Sequence, residues 1–298
     1  MIVSLLWIPY PTCYAGEVAW HSLVFEGNGL FASIRSGIYI MPGNTSLTGH
    51  FTKYQLPMSN FLPDEPVRRN LLILHASTAI KGMFIPDIEY ERTIWFRPET
   101  LQAVCRLRWN MNRPETVKLY KWDADAVTRW KLRYHDADGS INPVGTATYR
   151  FGSLAQKCSI ISEPALLLYL VSFPETKVKS NYDICVFGKK MLHHLSITRK
   201  PFVKGDLDGS IYDKQCVMEE ENRNAATPCP EPDTVYRIIE LAESKCTNEV
   251  QREKFSLLGL QGEITILVAG SSKLPVQIDG HNEYAGRVIL KLNRAVIK

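Results

Sequence analysis

Six basic side chains between positions 106 and 133 are the residues of this chain whose type and spacing best indicate chemistry. Three neighbouring segments there alternate polar and apolar residues with the period of two that is typical of a β-strand. Alternate residues of a strand face the same side, so adjacent strands would gather the basic residues on one face: Arg106, Arg108, Lys118, Arg129, Lys131 and Arg133. That face would attract an anionic ligand, such as a phosphorylated glycan or a lipid headgroup. The simpler alternative, which the alternation itself favours, is an antiparallel sheet with one face in water.

Two segments share the pattern Asp-x-Asp-Gly-Ser-Ile, at 136–141 and 206–211. Paired carboxylates can share a calcium ion, but calcium needs six to eight oxygen ligands. The flanking positions of an EF-hand loop hold Tyr134 and Gly145 in the first segment, and Lys204 and Gln215 in the second. Because none of these supplies the missing carboxylate, the pattern favours hairpin turns, in which Asp-Gly is common.

Other chemical motifs are missing from the sequence. The seven histidines have no metal-ligand spacing, and His193 and His194 on one strand would point to opposite faces. There is no nucleophile elbow, no phosphate-binding loop and no dinucleotide fingerprint. We therefore expect no cofactor, no metal and no enzymatic activity. A hydrolase whose carboxylates converge from distant positions stays open as a third hypothesis, since glycosidase geometry is set in space.

The elements that would position these residues are mostly strands. Short alternating segments follow one another along the chain with turn signals between them, which indicates an antiparallel meander, sandwich or curved sheet. Residues 165–173 are the best helix, with Ser162 as its cap and Pro164 in its first turn. Residues 236–245 favour a strand over a helix. Residues 56–70 hold three prolines and are predicted to form a loop, as are residues 218–233.

Composition excludes several classes of protein. The chain has 298 residues, of which 45% are hydrophobic and 22% charged, with a net charge of +4. These values exclude a disordered or coiled-coil chain, and the small basic excess argues against a nucleic-acid partner. No apolar run reaches the roughly 20 residues that a transmembrane helix needs.

The first fifteen residues predict export. Residues 1–15 are largely apolar and uncharged, with small residues before a cleavage point after Ala15, as in a secretory signal. The basic region that normally opens such a signal is missing, so the true start could lie upstream. We expect a periplasmic or otherwise exported protein with one domain at 16–298. A disulfide between Cys216 and Cys229 would fit that compartment, with Cys229–Cys246 as the competing pair. Cys105, Cys158 and Cys185 are expected to be free buried thiols.

From about Gly16 onwards the order of segments resembles the exported bacterial family called domain of unknown function 3108. The stretches that carry the resemblance are residues 91–109, 118–133, 162–170, 259–266, 274–280 and 286–292. The resemblance implies an all-β protein with a single large, strongly curved antiparallel sheet, like a half-barrel or a β-roll, and one or two short helices. It implies no catalytic residues.

Three functions follow as hypotheses. The first is a non-catalytic envelope protein that holds an apolar or amphipathic ligand in its curved sheet. The second is a structural or interaction module that binds an anionic glycan, lipid or envelope protein. The third is a cell-wall hydrolase. An empty apolar cavity would favour the first, a filled core the second, and a buried carboxylate pair in a cleft the third.

Overall fold

The computed structural model describes most of the chain between Val18 and Lys298. The described residues are 18–45, 63–113, 116–134, 141–158, 160–173, 181–203, 217–220, 226–228, 230–241, 253–270 and 272–298. The Asp-Gly segment at 206–211 lies outside the described residues, and so does all but the last residue of the segment at 136–141. Cys216 and Cys229 lie outside them as well. The hairpin turns and the disulfide predicted at these positions therefore stay predictions.

The described residues form eighteen strands. The first nine are β1 (Trp20–Asn28), β2 (Ala32–Pro42), β3 (Leu72–Gly82), β4 (Ile88–Phe96), β5 (Ala103–Asn110), β6 (Thr116–Trp122), β7 (Ala126–Tyr134), β8 (Ile141–Arg150) and β9 (Ile161–Ser162). The other nine are β10 (Asn181–Phe187), β11 (Leu192–Pro201), β12 (Val217–Glu220), β13 (Ala226–Pro228), β14 (Pro232–Glu240), β15 (Ser256–Leu257), β16 (Leu260–Ala269), β17 (Leu274–Asn282) and β18 (Gly286–Ile297).

The strands form one sheet, almost wholly antiparallel. From β8 the pairing runs back strand by strand to β1. It continues through β18, β17, β16, β14, β11 and β10 to the short β9. The β9–β10 and β12–β18 pairs are parallel. The sheet is open, because β8 and β9 are its end strands. This confirms the prediction of an all-β protein with one large curved antiparallel sheet.

The two ends of the sheet meet through side chains and one covalent bond. The Phe187 ring on β10 lies 5.6 Å from the Tyr149 ring on β8, centre to centre. A disulfide joins Cys158, which follows the 3₁₀ helix Gly152–Lys157, to Cys185 on β10, with the Cα atoms 5.6 Å apart. The prediction of free thiols at these two positions is therefore wrong, whereas Cys105 is free and buried as expected.

Hydrophobic side chains are buried on both faces of the sheet. The larger core fills the inside of the curve and includes Trp20, Phe25, Tyr120 and Phe187. A second core lies on the opposite face of β3–β7, where Trp109, Leu119 and Leu132 are buried and Trp130 packs against them. These four are the residues that alternate with the basic ones along the chain. The strands β4–β7 are thus fixed on one side by an apolar layer, and their other face carries the cations.

The helices are short. The main one, α2 (Leu166–Val171), is buried and confirms the predicted helix. Ser162 does not cap it, because its hydroxyl donates instead to the Leu101 carbonyl over 2.6 Å. The predicted loop at 56–70 contains the single turn α1 (Glu65–Arg68), and the loop at 218–233 contains strand residues of β12 and β13. Within the described residues, no helix is long and apolar enough to cross a membrane.

Candidate anion-binding site

A row of basic residues crosses four adjacent strands. The register places Arg92 on β4 opposite Arg108 on β5, Arg108 opposite Lys118 on β6, and Lys118 opposite Lys131 on β7. Arg133 lies on the same face of β7, two residues further on. The strand alternation expected from the sequence thus brings the cations together on one face. Like charges placed directly opposite each other destabilise a sheet by up to about 1 kcal/mol a pair.

Four of these cations, together with Arg113, line a cleft of about 320 Å³. Its walls are Arg108, Asn110, Arg113, Thr116, Lys118, Lys131 and Arg133. Within the described part of the chain, no carboxylate lies within ion-pair distance of Arg108, Lys118, Lys131 or Arg133. We call this region the basic cleft. Arg113 was not predicted, because it follows the end of β5 in a turn, where strand alternation gives no information.

The charges in the basic cleft depress one another's proton affinity. Burial lowers the pKa of Lys118, and the neighbouring charges of Arg108, Arg129, Lys131 and Lys190 lower it further. Burial likewise lowers the pKa of Arg108, with a further contribution from Arg92. An anion bound here would be attracted by all of these groups at once and would relieve their repulsion.

Arg106 and Arg129, which the sequence also placed in the site, do not line the basic cleft. Arg106 is buried beneath the β10–β11 turn, where it donates to the carbonyls of Phe187 (3.1 Å) and Gly188 (2.6 Å) and lies 4.0 Å from the centre of the Tyr120 ring. Arg129 stacks near Tyr149, 5.4 Å from its ring centre. Alternation predicted their face correctly but not the turn that covers Arg106.

The β10–β11 turn carries two more cations that interact electrostatically with residues of the cleft without lining it. Lys189 and Lys190 occupy this turn, and the charge of Arg108 contributes to a lowered pKa of Lys189 after burial itself. Glu253 holds the turn, since its carboxylate accepts the backbone N–H groups of Lys189 (2.5 Å) and Lys190 (2.9 Å). The turn that carries these two cations is therefore fixed in place by a side chain far away in sequence.

A buried histidine braces Glu253 in turn. His193 Nδ1 lies 2.8 Å from Glu240 Oε1, and its Nε2 lies 3.9 Å from Glu253 Oε1. Glu240 also accepts the Phe255 N–H over 3.2 Å. Glu240 and Glu253 thus each contact one nitrogen of His193, and both carboxylates accept backbone N–H groups and hold chain segments together. Among the described residues, no group of three metal-ligating side chains could hold an ion.

The brace predicts a pH-dependent stability. Burial lowers the pKa of His193. The hydrogen bonds and charges of Glu240 and Glu253 together have the larger effect and raise this pKa above 6.5. Burial raises the pKa of Glu253, but its contact with His193 and the backbone N–H groups of Lys189 and Lys190 together lower that pKa below 4.5. The histidine contribution is therefore complete below pH 6.5 and is lost as pH rises through its folded pKa. The glutamate contribution is complete above pH 4.5 and is lost on acidification.

We expect His193→Gln to be most destabilising between pH 4.5 and 6.5 and progressively less so as pH rises above that window. Urea unfolding of both proteins across this range measures the difference. His194→Gln is the matched control, because that side chain faces the other side of β11, nearest Asp183 at 3.8 Å. A destabilisation by His193→Gln that did not change with pH would contradict a charged histidine in the brace.

Another cleft of the protein is electrostatically mixed. It is lined by residues of β1, β2, β3, β4 and β18 and contains both carboxylates (Glu26, Glu89) and cations (Arg35, Lys81, Lys291). Because these charges oppose one another in their effect on an anion, this cleft offers much weaker net attraction than the basic cleft.

Comparison with known proteins gives little guidance to function. No protein-family model matches the chain, and no curated protein matches it. The crystal structure of a β-barrel-like protein of domain of unknown function DUF1849 from Brucella abortus is similar in structure, with a TM-score of 0.48 and 8% identity. That match covers 95% of this chain and 100% of the other. The resemblance to domain of unknown function 3108 stays a prediction.

Proposed function

We propose that this is a non-catalytic, exported protein that binds an anionic component of the cell envelope in its basic cleft. The ligand class is a phosphate-bearing group, as in a phosphorylated glycan or a lipid headgroup. One observation carries the proposal: Arg108, Lys118 and Lys131 stand directly opposite one another on three neighbouring strands. Such an arrangement is unfavourable without an anion and favourable with one.

The packed interior favours this function over an apolar-ligand carrier. Large side chains fill the inside of the curve, and Trp20, Phe25, Tyr120 and Phe187 are each fully buried. A carrier of the kind first hypothesised needs an enclosed apolar space of at least a few hundred Å³. The basic cleft instead opens at the surface and is lined by polar and charged groups.

The cysteines support the proposed location. Disulfides persist in oxidising compartments and are rare in the cytosol, and Cys158–Cys185 joins two segments that are well separated in sequence. Together with the signal-like residues 1–15, this bond supports export to the periplasm or beyond. The mass of the protein recovered from that compartment would test the predicted cleavage after Ala15.

The variant Lys118→Glu should change stability and binding in opposite directions. A carboxylate at this position would face Arg108 and Lys131, converting two repulsive pairs into attractive ones. We expect the free energy of unfolding to rise by about 1 kcal/mol. Affinity for pyrophosphate, measured by titration calorimetry, should fall by about tenfold or more, because a charge-assisted hydrogen bond is replaced by repulsion.

The control is Lys157→Glu, which makes the same change in net charge at an exposed residue of the 3₁₀ helix. This variant should bind pyrophosphate like the wild type. The proposal would be wrong if Lys118→Glu bound pyrophosphate as tightly as the wild type, or if both variants lost affinity equally.

A further inference from the structure

Several large apolar side chains are exposed on turns at one end of the sheet. Leu30 and Phe31 lie in the β1–β2 turn, with 79% and 56% of their surface exposed. Met83 and Phe84 lie in the β3–β4 turn, with 81% and 79% exposed. Tyr284 in the β17–β18 turn is 40% exposed. We call these five residues the apolar rim. Exposed apolar clusters of this kind mark sites of interaction with membranes or proteins.

Backbone hydrogen bonds fix the rim to the sheet. Met83 N–H donates to the Phe31 carbonyl over 3.2 Å, and Leu30 N–H donates to the Ala285 carbonyl over 3.0 Å. The rings of Phe31 and Phe84 lie 6.5 Å apart in an edge-to-face arrangement. The rim side chains are therefore held pointing outwards from three linked turns, and little conformational entropy would be lost when they bind.

The basic cleft opens at the same end. The β5–β6 turn, which carries Arg113, is bonded to the segment that follows Phe84: Asn112 Nδ2 donates to the Asp87 carbonyl over 2.6 Å. Met111 N–H likewise donates to the Glu89 carbonyl over 2.8 Å. Apolar tips and a group of cations that no carboxylate of the described residues neutralises therefore lie side by side on one end of the molecule.

We propose that the apolar rim inserts into the surface of a lipid bilayer, so that the headgroup of an anionic phospholipid enters the basic cleft. This inference rests on the proposed function and names the source of its anion. Charge complementarity favours it, because cations beside inserted apolar groups gain from the negative surface potential of anionic lipid. A projecting row of separate tips also fits a fluid bilayer better than the flat, closely packed surface of a protein interface.

Two exposed carboxylates, Asp87 and Glu283, lie at this end as well. Glu283 is engaged with Tyr284, since its hydrogen bond is the main cause of a raised pKa of that phenol. These two charges would oppose contact with an anionic surface. The electrostatic attraction to an anionic membrane must therefore come from the basic cleft. Because the apolar rim supplies only apolar contacts, mutations can remove the contribution of the rim or of the cleft separately.

The test uses flotation of the full chain with two kinds of vesicle, phosphatidylcholine alone and phosphatidylcholine mixed with phosphatidylglycerol. We expect binding to the mixed vesicles and little to the neutral ones. The paired change Phe31→Ser with Phe84→Ser should weaken vesicle binding by about tenfold or more, because less apolar surface leaves water. The same variant should still bind pyrophosphate like the wild type. The variant Lys118→Glu should lose both vesicle binding and pyrophosphate binding.

The control pair is Val203→Ser with Val217→Ser, which removes exposed apolar groups (59% and 39%) away from the rim and should leave vesicle binding unchanged. Equal binding of neutral and mixed vesicles, or full binding by the Phe31 and Phe84 variant, would overturn the inference. Wild-type binding of pyrophosphate without binding of vesicles would overturn it and leave the proposed function standing. Self-association that depended on Phe31 and Phe84 would point to a second copy of the chain as the occupant instead.

Discussion

Replacing Glu163 by glutamine should lower the free energy of unfolding by about 3–5 kcal/mol, because it leaves two buried guanidinium groups without a counter-charge. Glu163 is fully buried, and its Oε1 accepts from Nη1 of both Arg92 (3.3 Å) and Arg106 (3.2 Å). Its Oε2 accepts the Ala165 N–H at the start of α2 over 2.6 Å. Burial lowers the pKa of Arg92, but the charge of Glu163 and its hydrogen bond, together with the neighbouring Tyr90 and Tyr120, raise that pKa overall.

The large effect has a further structural reason. Arg106 also holds the β10–β11 turn through the carbonyls of Phe187 and Gly188, so loss of Glu163 should loosen the turn that carries Lys189 and Lys190. We therefore expect weaker pyrophosphate binding by Glu163→Gln as well as lower stability.

Chemical denaturation of the wild type and the variant measures the loss of stability. The matched control is Asp125→Asn, which removes one partner of an exposed ion pair with Arg150 (3.0 Å) and should cost less than about 1 kcal/mol. A Glu163→Gln variant no less stable than Asp125→Asn would contradict the assignment of Glu163 as the buried counter-charge of both arginines.

The second large effect is expected from the disulfide. Cys158 and Cys185 are 27 residues apart, and a closed loop of that length stabilises a folded protein by on the order of 3 kcal/mol. The bond also ties the segment between the two end strands, β8 and β9, to β10. We expect the double change Cys158→Ala with Cys185→Ala to lower the free energy of unfolding by about that amount.

Thermal unfolding with and without reductant gives an independent measurement. The wild type should lose more stability on reduction than the double alanine variant, in which any remaining effect would come from the predicted Cys216–Cys229 bond. Peptide mapping without reduction should recover Cys158 and Cys185 in one linked fragment. Free thiols at both positions in protein from an oxidising compartment would contradict the bond.

The sequence predicts the sheet well because strand alternation is a local property. The residues that alternate between Arg106 and Arg133 fall on opposite faces as expected, with Trp109 and Leu119 in a core and Lys118 and Lys131 in the basic cleft. Faces follow from the period of two, and the order of neighbouring strands follows from the short turns between them.

Contacts between distant segments could not be predicted in this way. Arg106 resembles its neighbour Arg108 in sequence, yet Glu163 and the turn at Gly188 bury it, and both lie more than fifty residues away. The contact between His193 and Glu253 also joins distant segments, so strand alternation could not predict it either. Cys158 and Cys185 lie in ordinary apolar surroundings, and only the meeting of the sheet ends brings them together. Local patterns carry no information on which surfaces close over one another.

A crystal of the protein soaked in tungstate would show whether the basic cleft binds an anion, because this oxyanion resembles phosphate and its tungsten atom is located by anomalous scattering. We expect tungstate in the basic cleft, with its oxygens within hydrogen-bond distance of Arg108, Lys118 and Lys131. Tungstate bound only elsewhere, or an empty cleft in crystals where these three side chains are free of lattice contacts, would contradict this expectation.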